Sequence, residues 1–376
     1  MTRLRRAVAV RLSAGRLGTQ RLPRRLGASP EVAYIGGHGD DNLGDNAMFE
    51  VARGLLSPNR LETYRRPFVE QRLGRVGLSG RSMYRAAVLG GGTLINPLWW
   101  SKVDLALRQG LRLWTLGTGV GSCGFGQAEL TDLEPWRPLL ARFEGLGVRG
   151  PRSAARLAAW GMPAEVIGDL ALASASDAPT PPADPPRVAL NLTLPAQRRG
   201  QPPPCFAGVR AALARLVERG WRVVPVAMNP GDRDALASMT KSLANVDDTR
   251  LPRTCEACAD ILRPCRFTVA VRLHAAVFSC GVGVPPLMLG YREKCLDFME
   301  SLGWDAWHLD LDAAGAGEAA GRIYELAEHG ESLRPPLLRA VHAKRSAIRD
   351  YARRVVEAVA PAAGAGPEPR LEANSA

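Results

Sequence analysis

Short apolar runs alternate along the chain with segments whose apolar residues recur every three to four positions, and several of the runs end in glycine. Val32-Ala-Tyr-Ile35 reads as a buried strand, Gly36 to Asn46 as a glycine-rich polar loop, and Ala47 to Leu56 as a helix. The order recurs at Arg85 to Leu89 before Gly90-Gly91-Gly92-Thr93, and at Leu111 to Leu116 before Gly117-Thr-Gly119-Val-Gly121. Gly147-Val-Arg149 leads into a helix over Ala154 to Trp160, and Ala164 to Ile167 forms a strand that stops at Gly168-Asp169. After a stretch rich in Ala, Ser, Asp and Pro, the alternation resumes. Val188 to Leu192, Trp221 to Val226, Phe267 to Val271 and Val284 to Leu289 read as strands, with helices over Phe206 to Arg219, Thr254 to Leu262 and Ala275 to Cys280. Ala320 to Glu328 and Leu337 to Val359 carry helical patterns.

Strands alternating with helices predict parallel sheets covered on both faces, an α/β chain. At 376 residues the length suits two domains, each with its own core. The expected division is an arm over 1–30, an N-terminal Rossmann-like domain over 31–172, a linker over 173–187, a C-terminal Rossmann-like domain with its final helix over 188–360, and a tail over 361–376.

The net charge of +12 resembles a nucleic-acid signal until its distribution is read. Eight arginines and no acidic residue fall within Met1 to Pro30, about two thirds of the excess, so the folded part is only mildly basic and nucleic acid is not an expected partner. The arm reads as disordered, without the apolar core of an export signal, and it could touch an anionic membrane surface. No stretch approaches the roughly 20 apolar residues of a membrane span. Seven cysteines in a chain without an export signal point to reduced thiols and a cytoplasmic location, peripheral at most to the inner face of the membrane. Cys255-Glu-Ala-Cys258 has half the spacing of a zinc site, but nothing completes it, and a helix with both cysteines on its buried side is the better reading. No metal is expected.

Glycine clusters at strand ends mark places where backbone must approach a ligand or turn sharply. Arg272, Leu273 and His274 follow one apolar run, and Lys294 follows the next. That arrangement aims a guanidinium, an imidazole and an ammonium group at the carboxyl edge of a sheet, where helix N-termini also favour anions. A small, highly charged anion is the expected guest.

Read in order, Asn42-Leu-Gly44-Asp45-Asn-Ala47, Gly90-Gly91-Gly92-Thr93-Leu, Gly117-Thr-Gly119-Val-Gly121, Val148-Arg149 to Ser153, Gly168-Asp169, and Arg272-Leu273-His274-Ala with Lys294 resemble the polysaccharide pyruvyl transferase family. The resemblance implies two Rossmann-like domains, GT-B-like, with a cleft between them, and transfer of the enolpyruvyl unit of phosphoenolpyruvate to a sugar as a cyclic ketal. It assigns phosphoenolpyruvate contacts to Arg272, Leu273, His274, Lys294 and Arg149, and the sugar, of a surface polysaccharide or its lipid-linked precursor, to the N-terminal side. No cofactor is implied beyond the donor substrate. In the family an acidic residue usually follows the arginine of the Arg149 motif, and Gly150 stands there instead.

His274 is the candidate general acid, because its ordinary pKa near 6.5 lets it hold or release a proton at cellular pH. Asp45 reads as either a base for the attacking hydroxyl or the cap of its helix. Asn42, Gly44, Gly91, Gly92, Gly119 and Asp169 are weaker acceptor-side candidates, with local turn formation as the alternative for Asn42 and Asp169. His38 could reach the acceptor from the first glycine-rich loop, whereas His308, His329 and His342 fall outside every motif. Two other functions fit the same fold: a glycosyltransferase using a nucleotide sugar, and a non-catalytic family member, a reading that Gly150 keeps open.

Overall fold

The computed structural model describes residues 32–39, 42–56, 61–64, 84–121, 130–174, 181–194 and 201–360. The expected arm and tail lie outside the described residues. The first sheet contains β1 (Val32–Ile35), β2 (Leu61–Thr63), β3 (Ala86–Leu89), β4 (Gly92–Ile95), β5 (Arg112–Val120), β6 (Gly145–Val148) and β7 (Glu165–Val166). Its order is β2-β1-β3-β5-β6-β7, with β4 on β5. The second contains β8 (Arg187–Asn191), β9 (Arg222–Pro225), β10 (Phe267–Ala270), β11 (Pro286–Gly290) and β12 (His308–Asp310), in the order β12-β11-β10-β8-β9. Every pairing is parallel, and β1, β3, β10 and β11 are buried throughout, as helices on both faces require.

Each sheet reverses its winding once, between β1 and β3 in the first and between β8 and β10 in the second. Connections leave such a pair in opposite directions and open a crevice at the carboxyl ends. The loops before Asn42 and after Leu89 leave one crevice; Asn191 to Thr193 and Val271 to His274 leave the other.

Three local expectations change. The first helix, Leu43–Leu55, starts four residues earlier than its apolar pattern suggested, because the Asn42 side chain accepts from the N–H groups of Gly44 and Asp45. Gly90 and Gly91 lead into the short strand β4, which starts at Gly92, instead of a helix. Gly117 and Gly119 do not end a strand: β5 runs through both, with a register shift against β6 between Thr115 and Thr118 and a left-handed φ of 67° at Gly117. A side chain at either position would meet a neighbour, Gly168 and Leu170 at Gly117 and the Arg149 guanidinium at Gly119.

The two C-terminal helical patterns form one helix of 44 residues, Ala316–Val359, that continues through Pro335 and Pro336. It serves both halves. Its earlier part packs on the second half, while Lys344 donates to the Val166 carbonyl, Arg345 to the Leu172 carbonyl, and Tyr351 lies against Gly145 and Gly147 of the first. One apolar cluster runs from Tyr34 and Met48 through Leu170 and Leu172 to Leu273 and Phe278. Each fully buried leucine there contributes about 1.5–3 kcal/mol by leaving water, so the halves are joined by core as well as by chain.

Candidate functional site

A cavity of about 330 Å³ lies where the two crevices face each other. The first half lines it with Gly37, Asn42, Gly44, Asp45, Thr93, Trp99 and Arg149 among others, and the second with Arg272, Leu273, His274 and Lys294. Six cationic side chains and three carboxylates face it, an excess of three positive charges with histidine neutral. Such a volume and charge suit a compact polyanion.

Two of the arginines that line the cavity, Arg149 and Arg272, are each held along the Nε edge by a buried carboxylate. Arg272 precedes the Leu273–Gly281 helix, where its backbone N–H donates to Asn191 Oδ1 at 3.0 Å. Its Nε lies 2.8 Å from both oxygens of Asp232, and its Nη2 lies 2.6 Å from Oδ1. Asp232 is 0% exposed and also accepts from the N–H groups of Met228 and Asn229, so its carboxylate is fixed before it meets the arginine. Arg149 follows β6 and is 1% exposed. Its Nε stands 3.6 Å from Asp297 Oδ2, an ionic contact longer than a hydrogen bond, and both Nη atoms make only long contacts to Thr93 Oγ1. Lys294 enters from the Glu293–Ser301 helix, its Nζ 5.4 Å from the Tyr291 ring centre.

His274 occupies the first turn of the helix that Arg272 opens. The imidazole crosses to the first half and seats against bare backbone, since a Cβ on Gly44 would lie 1.9 Å from Nδ1. Its Nε2 is buried with no hydrogen-bond partner among the described residues. Burial holds its pKa below the ordinary histidine range; the Asp169 and Asp45 carboxylates oppose that shift, and Lys294 and Arg149 add to it. The imidazole is therefore neutral near pH 7 and surrounded by charges of both signs.

Asp45 lines the cavity, but the cap of its helix is Asn42, so the capping alternative for Asp45 does not hold. The Asn42 amide donates to Asp45 Oδ2 at 2.6 Å, which orients the carboxylate. Gly44 and Gly92 are on the cavity wall, whereas Gly91 and Gly119 stand behind it and make room for Met48 and Arg149. Asp169 is also off the wall: it is 0% exposed, Oδ1 accepts from the Ala171 N–H, and Oδ2 is buried without a hydrogen-bond partner among the described residues. His38 turns away, its ring against Phe49 and its Nε2 bonded to Thr63 at the sheet edge. Cys258 is buried and Cys255 half-buried, both as free thiols, and among the described residues no cluster of His, Cys, Asp or Glu has metal-binding spacing.

Asp232, Asp297, Thr93 and Trp99 were not singled out from the sequence. For Asp232 a signal existed, since Asn229-Pro-Gly-Asp232 has the spacing of a capping box, which the structure contains. Asp297 is three residues from Lys294 and so shares its face of the helix, a pattern visible only once the helix is placed.

A family model described as polysaccharide pyruvyl transferase matches residues 42–293, well over half of the chain. The chain belongs to the polysaccharide pyruvyl transferase family. Of the cavity residues discussed above, Gly37 precedes the matched span, Lys294 and Asp297 follow within four residues of its end, and the rest fall inside it. A curated relative of this family member, the amylovoran biosynthesis protein AmsJ of Erwinia amylovora, is 27% identical over 85 residues, 23% of this chain and 20% of that protein. The match thus spans only about a fifth of the relative's length.

Among solved structures, a putative UDP-N-acetylglucosamine 2-epimerase from Listeria monocytogenes superposes with a TM-score of 0.58 at 12% identity, covering 88% of this chain and 96% of that one. Anabaena HepE in complex with UDP-glucose gives 0.52 at 11%, covering 87% and 99%. At such identities the likeness shows the fold: two Rossmann-like domains in a GT-B-like arrangement.

Proposed function

We propose that this protein transfers a pyruvyl group from phosphoenolpyruvate to a sugar of a surface polysaccharide, or of its lipid-linked precursor, forming a cyclic ketal. The observation that carries the reading is the meeting of Arg149, Arg272, Lys294 and His274 from both halves on one cavity with an excess of three positive charges. Phosphoenolpyruvate carries close to three negative charges on three carbons, and burying it without cations is prohibitive. Two guanidinium forks and one ammonium group suit its carboxylate and phosphate.

In the proposed chemistry, the His274 imidazolium gives its proton to the methylene carbon, which becomes a methyl group. The electron-poor carbon beside it is attacked by one sugar hydroxyl, whose proton passes to Asp45. The bond to phosphate then breaks, a second hydroxyl closes the ring, and its proton leaves with the phosphate. Enclosure between the halves keeps water from the reactive carbon. The reaction belongs in the cytoplasm, with the basic residues 1–30 available to an anionic membrane surface.

Phosphate release from phosphoenolpyruvate, assayed against a panel of lipid-linked sugars, tests the reading, and release with one acceptor names that acceptor. Thermal stabilisation separates the neighbouring possibility, because only a ligand of the native state raises the midpoint. A rise with nucleotide sugars and none with phosphoenolpyruvate would replace this reading with a glycosyltransferase.

A further inference from the structure

The Pro151–Ala158 helix begins after Gly150, which has no side chain with which to hold the free N–H groups of the first turn. Those groups are capped from the other half of the molecule. Asp297 Oδ1 accepts from the backbone N–H of Arg152 at 2.9 Å and of Ser153 at 3.2 Å, and Oδ2 accepts from the Ser153 hydroxyl at 2.8 Å. A Cβ on residue 150 would lie 2.1 Å from the Asp297 carbonyl oxygen and 2.2 Å from Oδ1. The missing side chain at 150 is what admits the carboxylate.

The same carboxylate stands 3.6 Å from Arg149 Nε, and both groups are almost wholly buried, at 1% and 3% side-chain exposure. A buried guanidinium needs a compensating charge, and here the charge crosses the cleft. Around this contact Arg152 makes two 2.9 Å bonds to Glu300, and Arg156 pairs with Glu293. Glu293, Asp297 and Glu300 lie on the helix that carries Lys294 into the cavity. One interface therefore sets a cation on each wall.

We infer that Asp297 is a positioning residue that presents Arg149 to the donor anion from across the cleft, an assignment that rests on the donor reading above. Its carboxylate engages the Nε edge and the helix amides at once, leaving the Nη edge to the ligand. Gly150 is then the condition for a carboxylate supplied by the opposite half, and no sign of lost chemistry.

The test is a double-mutant cycle on phosphoenolpyruvate affinity, measured by calorimetry on the full chain. Asp297→Asn keeps an acceptor for the two N–H groups but removes the charge, and is expected to weaken binding roughly 10- to 30-fold. In an Arg149→Met background the same change is expected to cost roughly threefold or less, because the residue through which it acts is gone. Equal losses in the two backgrounds, or no loss in either, overturn the inference and reduce Asp297 to a helix cap. If Asp297→Asn does not fold, Ser153→Ala loosens the carboxylate instead and is expected to give a smaller loss with the same dependence on Arg149. A wild-type chain that does not bind phosphoenolpyruvate removes the donor reading, and this inference with it; additive losses in a chain that does bind remove the inference alone.

Discussion

Gly44 and His274 come from opposite halves of the molecule, and a Cβ on Gly44 would lie 1.9 Å from the imidazole Nδ1. The first turn of the first-half helix thus carries a glycine where the second-half histidine must pass. Gly44→Ala is expected to displace the imidazole or part the halves, lowering turnover about 10²-fold, the usual result of misplacing a reacting group by an ångström. Thermal denaturation should show a folded chain. Wild-type turnover in the alanine variant would mean that the close seating has no part in the reaction.

His274 and Lys294 should separate chemistry from binding. His274→Ala is expected to leave phosphoenolpyruvate affinity within about tenfold while cutting turnover roughly 10²- to 10⁴-fold, the range of acid–base assistance. Lys294→Ala is expected to act chiefly on affinity, since it removes a charge from the cavity rather than a proton donor. Calorimetry and phosphate release on both variants read the contrast, and a reversed pattern would exchange their assigned roles.

Burial keeps His274 neutral at pH 7 in the free protein, whereas the proposed proton transfer needs the imidazolium. A trianion in the same cavity favours the charged form. Donor binding should therefore take up a proton: the bound pKa lies above the depressed free value, so affinity rises as pH falls from 8 towards 6. Calorimetry in two buffers of different ionisation enthalpy measures the uptake, and His274→Gln separates it from protonation of the donor's own phosphate. Identical uptake in wild type and variant would place that proton elsewhere.

Asp232 holds Arg272 at 2.8 Å and the Met228 and Asn229 amides at 3.0 and 3.1 Å. Asp232→Asn leaves a buried arginine edge facing a neutral amide, which should cost about 1–3 kcal/mol of stability and weaken donor binding roughly tenfold. Chemical denaturation and calorimetry together check it. A stability loss without any change in affinity would make Asp232 purely structural.

Much of the site was legible before any coordinates. Arg272, Leu273, His274 and Lys294 were placed by two apolar runs and their spacing, and all four line the cavity. The glycine clusters pointed to the correct edge of the first sheet, but their separate duties were not readable. Gly119 clears space for Arg149 and Gly117 takes a left-handed φ inside a strand. Both depend on which neighbours cross, and strand periodicity carries no record of that.

The sequence by itself determined the alternation of strand and helix, the two-sheet architecture, and which cations stand at strand ends, because these follow from local periodicity and backbone preference. Only the tertiary structure decided that Asp297 caps a helix in the other half, that Asp232 fixes Arg272, and that the last helix spans both sheets. Those contacts join residues 40 to about 180 positions apart, within one half for Asp232 and Arg272 and between the halves for the others, and they exist only once the elements pack, which local periodicity does not record.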